Sequence, residues 1–238
     1  MGLVVPAVLP SSRKDLEEKL AFLSQTSVKR VQIDVVDGRF ASPASWPYTA
    51  PKEFDEMVRS TRMLPYLDRF AYEVDLMCLD AEPASEAWLT LGATRLTFHA
   101  ESARNPERLL ASARRRFGSG RGFAPTLLSF GLALNIDSDL ALIENCLEEV
   151  EYIQFMGIAQ IGQQGQPFDT RILEKLRMFR SYHPEIAVQV DGGVTLANAK
   201  ELLTLGVSSI VVGSAIVRAR DPIAAVEMFE ALQSPYGV

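Results

Sequence analysis

The run "VQIDVVDGRF" (31–40) reads as an apolar strand that nevertheless carries two carboxylates, Asp34 and Asp37. A buried carboxylate is costly unless a cation, a proton or several donors accompany it, so such residues are candidates for chemistry. Similar residues punctuate other apolar runs: Asp75 and Met77 in "EVDLM", His99 in "TFHAES", Asn135 in "ALNID", Met156 in "IQFMGI" and Asp191 in "VQVDGG". Strand residues two apart share a face, which places Gln32 beside Asp34. Asp37, out of step with Asp34 and next to Gly38, is expected to cap the turn that follows.

Three glycine groups add a second kind of chemistry: "GQQGQ" (162–166), "DGG" (191–193) and "GSA" (213–215). Glycine lets backbone N–H groups approach an anion closely, and a helix opening after Gly213 would add a favourable dipole. Gly162, Gly165, Gln166, Gly192, Gly193, Gly213 and Ser214 are therefore candidates to hold a phosphate.

The elements that must position these residues alternate. Apolar, β-branched runs at 3–9, 28–36, 71–77, 94–100, 131–136, 150–158, 186–193 and 208–214 give eight expected strands. Between them lie stretches with helical spacing, such as 12–25, where Leu16, Leu20 and Leu23 recur on one face. Others are 103–117, 138–150, 169–182, 195–206 and 221–233, several opening on a Ser, Asp or Thr suited to an N-cap. This alternation predicts an α/β fold, a (β/α)8 TIM barrel formed as one domain over 1–238. A doubly wound open sheet is the alternative, but the first strand–helix turn lacks the glycines it would need. In a barrel, polar residues at the C-terminal strand ends face the mouth, and a phosphate site commonly follows strands seven and eight.

The chain of 238 residues, with 47% hydrophobic and 23% charged residues, falls in the range of a globular protein with a full core. A net charge of −6 argues against a nucleic-acid or anionic-membrane surface. The one basic cluster, Arg114–Arg116, reads as a solvated helix end. Two distant cysteines and two histidines build no zinc-finger or Cys–His spacing, and Cys78 and Cys146 are expected to be reduced and buried in a cytoplasmic protein. The apolar N-terminus lacks the features of a signal peptide or membrane helix, and Pro6 opposes a myristoylation reading of Met1–Gly2.

With these residues in place, the sequence resembles the ribulose-phosphate 3-epimerase family along almost its whole length. "IDVVDGRF" is similar to that family's D-V-M-D-G-x-F, "EVDLM" to D-V-H-L-M, "FHAES" to V-H-A-E, and "ALNID" to L-N-P. "VQVDGGV" corresponds to V-D-G-G-V and "GVSSIVVGSAI" to G-A-x-x-I-V-x-G-S-A-I. The resemblance implies a pentose-phosphate isomerase of carbohydrate metabolism that inverts C3 of a phosphorylated ketose. Two aspartates exchange the proton, a divalent metal assists, and the enzyme self-associates as a homo-oligomer. Carried over, Asp34 and Asp191 are the acid/base pair and metal ligands, and Met77 and Met156 line the pocket.

Where the pattern has metal-binding histidines, this chain has Gln32 and Asp75. The resulting set, Gln32, Asp34, Asp75 and Asp191, offers only oxygen and suits magnesium, manganese, calcium or iron rather than zinc. The loop "QIGQQGQ" lacks the family's proline, and the segment 41–70 is long, with Trp46 able to serve either substrate or loop packing. A non-catalytic phosphosugar-binding protein is the alternative function. The related ketogulonate-phosphate decarboxylases are disfavoured, because Asp75 stands where their lysine belongs. His99 is expected to be a satisfied, inward-facing polar residue.

Overall fold

The computed structural model describes residues 3–118 and 128–233, so the Met1–Gly2 reading lies outside the described residues. Eight parallel strands close into a barrel in sequence order: β1 (Val4–Val8), β2 (Arg30–Val36), β3 (Ala71–Met77), β4 (Ala93–His99), β5 (Ser129–Leu134), β6 (Tyr152–Met156), β7 (Ala187–Asp191) and β8 (Ser209–Val212). Closure comes from β1 pairing with β8, Val4 opposite Ile210. The strands are buried on both faces, which is why they read as continuous apolar runs.

Strand alternation divides the interior into two compartments. On β2, Val31, Ile33 and Val35 belong to the large core between sheet and helices, whereas Gln32 and Asp34 lie on the other face of the strand. Each outward apolar side chain contributes about 1.5–3 kcal/mol of burial energy, which lets the barrel lumen hold polar groups. Those groups include Gln32, Glu73, Asp75, Thr97, His99, Gln154 and Gln189, all essentially inaccessible to solvent.

The expected helices form as α1 (Arg13–Leu23), α4 (Pro106–Phe117), α5 (Arg171–Tyr182), α6 (Leu196–Thr204) and α8 (Pro222–Glu230). Ser12 caps α1 by accepting from the Asp15 N–H at 3.1 Å, and Asp221 caps α8 through the Ala224 N–H at 3.0 Å. Two more helices, α2 (Pro51–Arg59) and α3 (Ala81–Thr90), occupy stretches that sequence periodicity did not single out. The expected helix at 138–150 is instead two 3-10 turns, Leu140–Leu142 and Glu144–Glu149. Its buried residues fall in two pairs three apart, Ile143 with Cys146 and Leu147 with Val150, and only that three-residue step is common to the two helix types. The helix after β8, α7 (Ser214–Val217), has only one turn, too short for an appreciable dipole.

Trp46 resolves to packing: it is fully buried, donates Nε1–H to Glu53 at 3.1 Å and meets Trp88 edge-on at 5.9 Å. The Arg114–Arg116 cluster does lie in the last turn of α4, but Arg114 is buried rather than solvated. Its guanidinium donates to the Glu149 carbonyl and pairs with Glu151 at 2.5 Å over the Phe130 ring. Both cysteines are free and buried, and no helix among the described residues is long and apolar enough to cross a membrane.

Candidate active site

Parallel register sets Asp34 of β2 beside Asp75 of β3, and Met156 of β6 beside Asp191 of β7. Asp34, Asp75 and Asp191 each turn a carboxylate oxygen toward one point, all within 4.8 Å of one another. A cavity opens above them at the strand ends, and Asp34, Asp191, Met77 and Met156 face it together with all three glycine groups. Every residue expected at the phosphate site, Gly162, Gly165, Gln166, Gly192, Gly193, Gly213 and Ser214, lines this cavity. Gln32 and Asp75 lie beneath it in the lumen.

Gly193 shows why glycine is needed there. Its φ is +66°, and a Cβ would fall 2.6 Å from the Phe168 backbone. With α7 so short, any anion held here would rely on backbone N–H groups of these loops rather than on a helix dipole.

Donors surround the carboxylates. The Gln32 side-chain NH2 reaches Asp34 Oδ1 and Asp191 Oδ2, each at 2.8 Å. This orientation is supported from the other side, where the Gln32 carbonyl accepts from the Gln189 amide at 3.4 Å. Gln154 donates to Asp75 Oδ2 at 3.2 Å, and His99 Nε2 meets Asp75 Oδ1 at 2.9 Å.

Deeper in the lumen, Gln189 bonds Gln154 at 2.8 Å and also Glu73, whose charge faces Arg95 at 2.8 Å and Arg30 at 3.6 Å. Gln154 and Gln189 were not anticipated, yet the spacing that flagged Gln32 finds them too, two residues before Met156 and Asp191.

The electrostatics follow from burial. Removal from water and then the neighbouring Asp75 raise the Asp34 pKa to about 7, against the pull of the Gln32 and Gln164 amides. Asp191 is likewise raised well above the usual carboxylate range by burial and by Asp34 and Asp75. Burial lowers the His99 pKa, but Asp75, with Glu101 and Asp191, offsets it and the net shift is upward. His99 is only half satisfied, because its Nδ1 has no partner among the described residues.

The carboxylate cluster suits a hard cation by donor type and spacing. Gln32 differs from the expected ligand role: it presents its NH2 to the cluster, because two acceptor oxygens flank it. As a ligand it would have to turn its amide over.

Asp37 takes the turn-capping place. Its carboxylate accepts from the Arg39 and Phe40 N–H groups at 2.7 Å and from Leu79 N–H at 2.9 Å. Burial would raise its pKa, but these donors outweigh that and lower it. Asp37→Ala would orphan three backbone donors, with an expected loss of about 2–3 kcal/mol, read from urea denaturation midpoints.

Comparison with known proteins places this geometry. Ribulose-phosphate 3-epimerases from Arabidopsis thaliana (chloroplastic) and Helicobacter pylori are each 26% identical to the chain, over 99% and 98% of it and 79% and 98% of their own lengths. Among solved structures, 3-hexulose-6-phosphate synthase from Salmonella typhimurium superposes with a TM-score of 0.67 at 15% identity, covering 98% of both chains. KGPDC from Streptococcus mutans gives 0.67 at 16% identity over 98% of this chain and 97% of its own. At such identities these structures speak to the fold alone. A sequence model of the Ribulose-phosphate 3 epimerase family matches residues 3–217, and the chain belongs to that family.

Proposed function

We propose that the protein inverts C3 of a ketose phosphate, with Asp34 and Asp191 as the paired acid and base. The observation that carries this reading is the placement of two carboxylates, Asp34 buried and Asp191 half-buried, both with raised pKa, on either side of the Gln32 amide and facing a cavity edged by three glycine groups. Proton removal next to a carbonyl needs a base of suitable pKa, and inversion needs a proton donor on the opposite face. Burial and mutual repulsion raise both carboxyls, which favours a state in which one gives a proton while the other takes one. Gln32 fixes both side chains through its NH2, and Met77 and Met156 supply apolar walls that limit water.

Asp34, Asp75 and Asp191 would hold a divalent metal ion, magnesium, manganese or iron rather than zinc. When bound, such an ion supplies charge stabilisation to the oxygen that becomes anionic as the proton leaves. Under this reading the chain is one barrel domain, cytoplasmic and self-associating, with a phosphorylated ketose as its partner.

The test is epimerisation of ribulose 5-phosphate by purified protein after chelation, repeated with added magnesium, manganese, iron or zinc. Turnover restored by a hard ion and reduced about 10²–10⁴-fold by Asp191→Asn is expected. No turnover with any metal, alongside measurable binding of the sugar phosphate, would replace the reading with a non-catalytic phosphosugar-binding protein.

A further inference from the structure

Gln164, in the loop after β6, lines the same cavity but reaches across it rather than framing it. Its Nε2 donates to the Ala7 carbonyl of β1 at 3.2 Å, and the same amide is within donor reach of Asp34 on β2. It also lies flat against the end of β8: a Cβ on Gly213 would fall 2.7 Å from Gln164 Nε2 and 3.1 Å from its Cδ. On the backbone side, Arg218 NH2 donates to the Gln164 carbonyl at 3.5 Å, and the Arg218 guanidinium packs against Gly165. One side chain thus spans the gap between the Asp34 carboxylate and the Gly213 backbone.

The space left is small. Measured to the centre of a water molecule the free space is about 50 Å³, room for a few waters beside the Gln164 side chain. A substrate whose reacting carbon lies between Asp34 and Asp191, and whose phosphate meets Gly213, must run along the line the Gln164 amide now occupies.

We propose that Gln164 is a built-in competitor of the substrate, a specificity-determining side chain that must be displaced before a phosphosugar can bind. The inference rests on reading this cavity as the phosphosugar site. Displacement is favourable only for a ligand that replaces both of the amide's contacts, with a hydroxyl near Ala7 O and Asp34 and an anion at Gly213. Inorganic phosphate can meet only the second, and so recovers less of the displacement cost that both ligands must meet. Because the competent state is only a fraction of the ensemble, apparent affinity is reduced by that fraction.

The experiment is calorimetric titration of ribulose 5-phosphate and of inorganic phosphate into wild type, Gln164→Ala and Gln164→Glu. Gln164→Ala is expected to tighten ribulose 5-phosphate binding about three- to tenfold, and to tighten phosphate binding as well. Gln164→Glu, which sets a carboxylate against Asp34 and in the path of the phosphate, is expected to weaken both about tenfold or more. Unchanged or weaker binding in Gln164→Ala, with wild type binding the sugar phosphate, overturns the inference alone and makes Gln164 an ordinary contact or a bystander. Unaffected binding in Gln164→Glu overturns it too. Absence of ribulose 5-phosphate binding in all three proteins removes the phosphosugar reading and the inference with it.

Discussion

Asp34→Asn is expected to abolish C3 inversion and, in the chelated protein, to make the fold more stable at pH 8. The two effects have one origin. Asp34 is buried beside Asp75 and close to Asp191, and its pKa is raised from 3.8 to about 7. In the unfolded chain the carboxyl ionises near its ordinary value, while the folded protein holds the proton to much higher pH. The wild-type fold therefore loses stability as pH rises from about 4 through about 7, and the loss is complete above that.

Asparagine keeps the shape and can still accept from the Gln32 amide at its carbonyl oxygen, but it has no charge to bury. The expected gain is on the order of 2–4 kcal/mol at pH 8 and less than half of that at pH 4.5, read from urea denaturation at the two pH values. Turnover should fall by roughly 10²–10⁴-fold, the contribution of a positioned acid/base group. A variant that keeps wild-type stability at pH 8 would mean that Asp34 is not held against its charge. One that keeps its turnover would remove Asp34 from the chemistry.

The barrel was legible because each strand is buried on both faces and carries an unbroken apolar outer face, so that a run such as 28–36 announces itself without any knowledge of its neighbours. The ends of those runs also placed the site, since register carries Asp34, Asp75, Met156 and Asp191 to one level of the lumen. Short helices were harder. α2 spans only nine residues and buries only Phe54 and Met57, but its apolar and charged residues do separate onto opposite faces behind a proline at its first position, signals that reading 41–70 as one long connecting segment passed over.

What lay beyond the sequence was partnership. Nothing in "TFHAES" says that His99 will meet Asp75, two strand residues separated by 24 positions, or that the Gln32 amide will turn its nitrogen to two carboxylates. Gln164 was visible as part of a glycine-rich loop, but its reach to Ala7 and Gly213 depends on how that loop folds over the mouth.

Asp75 leads to the second large effect, one whose sign depends on pH. Its carboxylate is the only hydrogen-bond partner of the His99 ring among the described residues, and both side chains are wholly buried. Asp75, Glu101 and Asp191 together raise the His99 pKa despite burial. Stability from the imidazolium is therefore full below the ordinary histidine pKa near 6.5 and is lost as pH rises through the higher folded value.

Asp75→Asn removes the anion and leaves a buried imidazole without its charge partner, a change that costs about 3–5 kcal/mol for a broken buried pair. The same substitution also relieves Asp34 and Asp191, which both feel the Asp75 charge. At pH 6 Asp34 largely holds its proton, relief is small, and the loss of the His99 partner dominates. At pH 9 the balance shifts, because Asp34 is ionised there and gains most from losing the Asp75 charge, while the imidazole is closer to neutral. Urea denaturation of chelated Asp75→Asn should accordingly show a destabilisation of about 3 kcal/mol at pH 6 that shrinks toward zero by pH 9. In the double variant with His99→Gln the pH 6 penalty should largely vanish, since no buried imidazolium remains to be stranded. A penalty that is the same at both pH values, or that survives in the double variant, would show that Asp75 acts through packing and not through the charge it shares with His99.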